Sequence, residues 1–236
     1  MASKTQTRPG PFLPTEAWPP DDTEESILGT DLHQTTITNL RLGINEVARL
    51  RQAPGRPVPW KALSQIGLLG CVRPDGSAYR TYPDVFVYPH VIDPDRGSVT
   101  LEVDGPPVLI LEVLSESTYE ADVDLVRGKG YSYARAGVPE YMALDPSGHF
   151  LSEGIRAWRL VEGIYRPWEP DEDGRWQSAQ IEVAIGLEGT LVSVYTRDGR
   201  RMLREGEIEE ERARLREEMA RKDAELERLR RLLDQR

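Results

Sequence analysis

The sequence predicts an α/β (α+β) fold in which a mixed β-sheet is flanked by helices. The most apolar run of the chain, 108–114, is typical of a strand covered on both faces. A helical pattern over 121–136 separates it from a second apolar run at 140–144. A strand, helix, strand order of this length indicates a parallel crossover unit, with antiparallel strands added later in the chain.

Composition indicates one sizeable domain with an appendage at each end. We divide the 236 residues into a flexible, proline-rich tail (1–20), a folded domain (21–204) and a C-terminal coiled-coil helix (205–236). The single cysteine, Cys71, excludes an intramolecular disulfide and a cysteine-based zinc site, and fits a reducing cytoplasm. No stretch approaches the roughly 20 apolar residues of a membrane span, so we expect a cytoplasmic protein with no membrane partner.

The first predicted helix covers 31–51. Apolar residues recur there at helical spacing, and Thr30 or Asp31 is available as the N-cap. His33 falls on the apolar stripe, where a histidine is either a satisfied helix residue or part of a site.

A hairpin is predicted next. Its arms are 63–73 and 78–88, and the turn between them is Pro74-Asp75-Gly76. Asp84 stands in the second arm, at the head of an alternating apolar segment, and a loop is predicted over 89–107.

Short strands dominate the second half of the domain and predict an antiparallel extension of the sheet. The three tryptophans in or beside these strands are interpreted as packing residues rather than ligand contacts. The predicted strands are 156–160, 164–168, 176–179 and 191–195, with Trp158, Trp168 and Trp176 in the first three.

Residues beyond Arg204 follow a heptad pattern with two seams. Polar residues interrupt both seams, so the pattern favours a weak, concentration-dependent homodimer, and the alternative is a solvated single helix held by charge pairs. The seams are Ile208, Leu215, Lys222 and Leu229, and Arg212, Met219, Leu226 and Leu233.

Glu112 is the strongest candidate site residue, because it lies within the most apolar run. A buried, unpaired carboxylate costs several kcal/mol, so the group must be protonated, paired with a cation or bound to a metal. The alternative is a structural glutamate that reaches solvent or an arginine. Asp84 stands at the head of a neighbouring strand. Lys129 follows Val126 by three residues and precedes Tyr133 by four, so helical spacing predicts that it projects from the sheet-facing stripe of the next helix and can reach the carboxylates. Two carboxylates supply hard oxygen ligands for Mg²⁺ or Mn²⁺.

The chain resembles the bacterial Uma2 family of restriction endonucleases, within the PD-(D/E)XK nuclease superfamily, over roughly residues 20–205. The residues that carry the resemblance are Pro83-Asp84-Val85, Leu111 to Thr118, Asp122, Lys129, Tyr133, Ala136 to Tyr141 and Asp145-Pro146. It implies a restriction-endonuclease-like fold and a divalent-metal phosphodiesterase site that acts on DNA.

The resemblance also assigns roles. Asp84 matches the motif aspartate and Glu112 the motif acid, and these two are the implied metal ligands. The superfamily lysine would stand two places after the acid, where this chain has Leu114, and the resemblance places it at Lys129 instead. Possible accessory residues are Asp122, Asp124, Glu25 and His33.

Two functions remain open at this level. The first is a Mg²⁺-dependent endonuclease, and the second is a catalytically silent nuclease-fold module that acts through its C-terminal helix. The net charge of −10 disfavours broad binding to nucleic acid and so favours the second, whereas the three placed site residues favour the first. A glycosidase with Asp84 and Glu112 as paired acids would leave Lys129 without a role.

Overall fold

The structure, a computed structural model, describes residues 30–90, 92–93 and 96–234. The predicted tail at 1–20 and the candidate acid Glu25 lie outside the described residues. The helices in the described ranges are α1 (Asp31–Leu50), α2 (Leu101–Asp104), α3 (Tyr119–Val123), α4 (Lys129–Ala136) and α5 (Glu205–Asp234). The strands are β1 (Lys61–Leu63), β2 (Gly67–Val72), β3 (Ala78–Thr81), β4 (Val85–Tyr88), β5 (Ser98–Thr100), β6 (Leu109–Val113), β7 (Glu140–Leu144), β8 (Ile155–Val161), β9 (Ile164–Pro167), β10 (Trp176–Gln177), β11 (Val183–Glu188) and β12 (Leu191–Thr196).

A six-stranded mixed sheet forms the centre, in the order β1-β4-β6-β7-β8-β9. Strands β6 and β7 are parallel, and their neighbours pair antiparallel. Two smaller sheets have the orders β10-β11-β12 and β3-β2-β5. The predicted fold class and the parallel crossover are therefore confirmed.

Each face of the central sheet has its own hydrophobic core. Leu109 and Leu111 of β6 pack with α1 and with the β10-β11-β12 sheet on one face. Ile110 and Leu114 pack with α4 and with the β3-β2-β5 sheet on the other. Strand β6 is thus buried on both faces, as its apolar run predicts.

Helix α1 begins where the sequence predicts. The Thr30 hydroxyl accepts the His33 N–H at 3.3 Å, which satisfies one of the free donors of the first turn. The helix ends at Leu50, one residue before the predicted boundary.

The predicted hairpin is correct in its turn, and both of its arms are shorter than predicted: the first is β2 without Leu63, which lies in β1 and pairs with β4. Strands β2 and β3 pair antiparallel around Pro74-Asp75-Gly76, with a register shift inside β2. The chain then leaves this sheet after Thr81, and β4 pairs with β6 in the central sheet instead. Pro83 lies at the break, where a residue without an N–H ends a ladder. The predicted loop at 89–107 contains β5 and α2.

The helix predicted over 121–136 is wrong as a continuous element, because α3 and α4 are separated by a turn. The Asp124 carboxylate accepts the N–H groups of Val126 and Arg127, at 2.7 and 2.9 Å, and fixes this turn. Val126 is 63% exposed, so it does not belong to a sheet-facing stripe with Lys129. Lys129 is nevertheless buried, as the first residue of α4.

In the second half, β8 and β9 extend the central sheet as predicted. The later strands form a separate sheet instead, and its middle strand, β11, was not predicted. Trp158, Trp168 and Trp176 are buried in the two cores, which confirms their packing role. Helix α5 covers the predicted C-terminal helix. Across the described residues, no helix combines the length and apolarity that a membrane crossing requires.

Candidate active site

The candidate site starts from the pairing of β4 with β6. Val85 is opposite Leu111 in this antiparallel ladder, which brings Asp84, just before β4, level with Glu112. The Asp84 N–H donates a hydrogen bond to Glu112 Oε2 at 3.3 Å, and the Val113 N–H donates one to Asp84 Oδ2 at 2.7 Å. The two carboxylates therefore emerge together where β4 begins and β6 ends.

Glu112 is held from the α4 side of the sheet. Only 1% of it is exposed, and the Tyr133 hydroxyl donates to its Oε1 at 2.6 Å. The Thr81 hydroxyl lies 3.1 Å from the same tyrosine oxygen and extends the network. Lys129 Nζ lies 3.5 Å from Glu112 Oε1. Because the side chain is anchored at both oxygens, its orientation is fixed before any ligand binds.

Lys129 is positioned by the close junction between α3 and α4. A Cβ at Gly128 would lie 2.1 Å from the carbonyl oxygen of Ala121, so only glycine fits there. This approach directs the lysine to Asp122 on α3, with Nζ 3.1 Å from Asp122 Oδ1. The ammonium thus stands between two buried carboxylates, those of Asp122 and Glu112.

His33 approaches from the first turn of α1. Its Nε2 lies 3.0 Å from the carbonyl oxygen of Val113 and 3.5 Å from Asp84 Oδ2. Burial by itself lowers the pKa of His33, but the hydrogen bond and the negative charge of Asp84 outweigh this effect and raise it. The histidine therefore joins α1 to the end of β6 at the site.

The site contains more negative than positive charge. Burial raises the pKa of Glu112 well above its ordinary value; Lys129 opposes this effect, and the charges of Asp122 and Asp84 add to it. Burial likewise raises the pKa of Asp122 against the influence of Lys129. One ammonium cannot neutralise these carboxylates, so a further cation would be stabilised here.

The structure separates the two acids between which the sequence could not choose. Asp122 is 1% exposed and lies at the site, whereas Asp124 is used by the turn between α3 and α4. Tyr133, the group nearest to Glu112, was not among the predicted site residues. Its position one helical turn after Lys129 was the available signal, since residues four apart share a helix face.

The donor set fits a hard divalent ion. Asp84 and Glu112 offer carboxylate oxygens, and Mg²⁺ is commonly held by one or two carboxylates with water and substrate oxygens as its other ligands. Among the described residues, no group of three or more His, Cys, Asp or Glu is arranged as a complete metal cage. A cleft of about 750 Å³ lies elsewhere, beside Arg159 and the start of β7, and does not include the site.

This combination of a mixed sheet flanked by helices with an acidic pair at adjacent strand ends defines a restriction-endonuclease-like protein. The sequence profile of the Uma2 family, described as "Putative restriction endonuclease", matches residues 29–193. Because the match covers more than half of the chain, the protein belongs to the Uma2 family, and its family indicates a nuclease function with DNA as the substrate. No curated protein matches the chain significantly.

Proposed function

We propose that this protein is a Mg²⁺- or Mn²⁺-dependent endonuclease that hydrolyses phosphodiester bonds of DNA. One observation carries the proposal: Asp84 and Glu112 meet at the ends of two paired strands, and the Lys129 ammonium lies 3.5 Å from Glu112. In this proposal the two carboxylates hold the metal ion, and Lys129 is the catalytic cation.

Each protein group has a defined task. A divalent ion bound by the carboxylates would lower the pKa of a coordinated water and stabilise negative charge on the scissile phosphate. Lys129, whose side chain is already desolvated, donates a hydrogen bond to the attacking water or to a phosphate oxygen. Tyr133 orients Glu112 through its 2.6 Å hydrogen bond, and the Val113 N–H does the same for Asp84.

Two further residues act through these groups and are positioning residues. Asp122 lies 3.1 Å from Lys129 Nζ and directs it towards Glu112. His33 holds Asp84 and the carbonyl group of Val113 from α1. Both roles follow from preorganisation, since a catalytic group that is already placed needs no reorganisation during the reaction.

The test is cleavage of supercoiled and linear DNA by the full chain with Mg²⁺, Mn²⁺ or EDTA. We expect metal-dependent cleavage by the wild type, and a loss of at least about 100-fold for Asp84→Asn, Glu112→Gln and Lys129→Met. Calorimetric titration with Mn²⁺ gives a second readout, in which the two carboxylate variants bind more weakly and Lys129→Met keeps or strengthens binding.

Glu140→Gln is the matched control. Glu140 is also a fully buried strand glutamate, on β7 beside β6, but Arg159 and Ser178 hold it away from the site. This variant should cut DNA at the wild-type rate per folded molecule. If the wild type neither binds Mn²⁺ nor cleaves DNA, the catalytically silent binding module is the correct interpretation.

A further inference from the structure

Helix α5 presents an apolar stripe that a single copy of the chain leaves in water. The helix is attached at its base, where the Glu205 N–H donates to Asn39 Oδ1 at 3.0 Å. Further along, one side of the helix carries large apolar side chains that are 47–65% exposed: Leu215, Met219, Leu226 and Leu229. These residues follow a heptad repeat, the spacing of the apolar side chains that two supercoiled helices bury between them.

We propose that this stripe is covered by the same stripe of a second copy, in a parallel and in-register two-stranded coiled coil. Such an interaction surface does not depend on nuclease activity. In the heptad notation, Met219 and Leu226 take the a positions, and Leu215 and Leu229 take the d positions. The charged residues that flank this seam determine which partner helix binds and whether the two helices run parallel or antiparallel.

The flanking charges complement each other between parallel copies. In such a pair, a g residue faces the e residue five places later on the other copy. Glu211 then faces Arg216 of the second copy, and Glu225 faces Arg230 of the second copy. Because the two copies are related by symmetry, each of these attractions occurs twice in the dimer. In the described part of the chain, Arg216 and Glu225 make no ion pair within their own copy, so both are available for these contacts.

An antiparallel pair is disfavoured by the same residues. It would bring g residues against g residues, and three of the four g residues of α5 are glutamates: Glu211, Glu218 and Glu225. Like charges placed so destabilise the association. The charge pattern therefore selects one orientation.

In a parallel, in-register pair, Arg212 faces Arg212 of the second copy and Lys222 faces Lys222 of the second copy, and these like charges weaken the association. Carboxylates partly neutralise the charge at Lys222. Its Nζ lies 2.7 Å from Glu218 Oε1 of the same helix, and Asp223 of the second copy would flank the same level. Glu218 and that Asp223 repel each other across the seam, and the lysine places positive charge between them. The intrachain pair between Glu211 and Arg214, at 2.8 Å, is exposed and worth little, so it does not prevent the exchange.

The parallel orientation has a consequence for the whole protein. Besides Asn39, the base of α5 is attached through Glu207, which accepts two hydrogen bonds from Arg201 at 2.8 Å. Both copies of the folded domain would therefore lie at the same end of the coiled coil. An antiparallel pair would separate them by the length of α5.

The affinity test uses sedimentation equilibrium of the full chain and its charge variants. Glu225→Lys turns two attractions into two repulsions and should raise the dimer dissociation constant roughly tenfold. Arg230→Glu should do the same, and the combined exchange of both residues should restore the wild-type constant. The control is Glu217→Lys, on the outer face of α5, which should leave it unchanged. A monomeric wild type up to about 100 μM, or no restoration by the exchange, overturns the proposal.

The orientation test uses disulfide formation. Cys71 is 1% exposed, so it does not compete with an introduced surface thiol. In a parallel pair, Leu215→Cys and Leu229→Cys each form a disulfide-linked dimer alone. In an antiparallel pair centred on Lys222, neither does so alone, and a mixture of the two gives the mixed disulfide. That second outcome, or binding of α5 to a different protein in preference to itself, overturns the inference.

Discussion

Replacing Glu112 by glutamine removes a charge from one of the least solvated positions of the protein and nearly preserves the shape of the side chain. We expect Glu112→Gln to abolish metal-dependent cleavage and to make the metal-free protein more stable. Activity and stability should therefore change in opposite directions. This combination distinguishes a functional carboxylate from a structural one.

The magnitude follows from the contacts of the carboxylate. Desolvation of an ionised group costs several kcal/mol. The ammonium of Lys129, 3.5 Å away, returns about 5 kcal/mol at an effective dielectric constant of about 20. That ammonium also serves Asp122 at 3.1 Å, and the two carboxylates repel each other. The balance leaves a net cost for the Glu112 charge, and its removal should stabilise the fold by about 1 kcal/mol near pH 8, or roughly 2–4 °C in Tm.

The dependence on pH has a definite sign. The pKa of Glu112 is raised in the folded state by burial, above its ordinary value of 4.5. Protonation therefore stabilises the fold, and this contribution is present in full below that value and lost as the pH rises through the folded pKa. Wild-type protein should lose stability from about pH 5 upward, and Glu112→Gln should lose less. Part of the slope remains because burial also raises the pKa of Asp122.

The assay is urea denaturation followed by tryptophan fluorescence between pH 5 and 8, in EDTA and in Mg²⁺. Mg²⁺ should stabilise the wild type near pH 8 and leave Glu112→Gln unchanged. Glu140→Gln should lose about 1–3 kcal/mol, because three donors satisfy that carboxylate: Arg159 Nε, Ser178 Oγ and Ala179 N–H. Equal destabilisation of both variants, with the same pH slope as the wild type, would refute the reasoning.

Two other predictions concern the groups that place the lysine. Lys129→Met should cost about 3–5 kcal/mol near pH 8, because two buried carboxylates lose their cation, and adding Glu112→Gln should recover part of the loss in urea denaturation. Gly128→Ala should cost about 3 kcal/mol or more, since its Cβ would meet the Ala121 carbonyl oxygen at 2.1 Å, and scanning calorimetry should show Gly206→Ala, with no atom within 4 Å of its Cβ, unchanged or slightly stabilised.

The site residues that the sequence predicts are identified by their immediate sequence surroundings. A carboxylate inside an apolar run identifies Glu112 without any knowledge of its neighbours, because burial of such a group needs a partner. Asp84 has a similar signal at the head of a strand. Their pairing depends on the break after Thr81, which moves β4 into the central sheet. The passage of the chain from one sheet to the other depends on tertiary packing. The sequence pattern shows only a continuous extended segment, which is why it predicts one longer hairpin arm.

The prediction of Lys129 at the site rests on its helical spacing from Val126 and Tyr133, and the structure supports only the spacing to Tyr133. Only one continuous helix would place Val126 on the same stripe as Lys129, whereas the chain turns at Asp124 and begins α4 at the lysine itself. The same turn explains why the sequence could not choose between Asp122 and Asp124. These acids are only two residues apart in the sequence. Helix α3 ends between them, so Asp122 remains in the helix and faces the site, whereas Asp124 follows the helix and forms the turn.

The buried lysine also explains why a cation is expected at a site that already contains one. Its ammonium lies within 3.5 Å of both Glu112 and Asp122, so each carboxylate receives only part of its charge. Asp84 stands beyond it at the strand end, where His33 Nε2 lies 3.5 Å from its Oδ2. A second cation between Asp84 and Glu112 would meet two ligands oriented by backbone and tyrosine donors, and would leave the lysine free to turn towards the substrate. Binding of this cation would then both neutralise the site and complete the catalytic group.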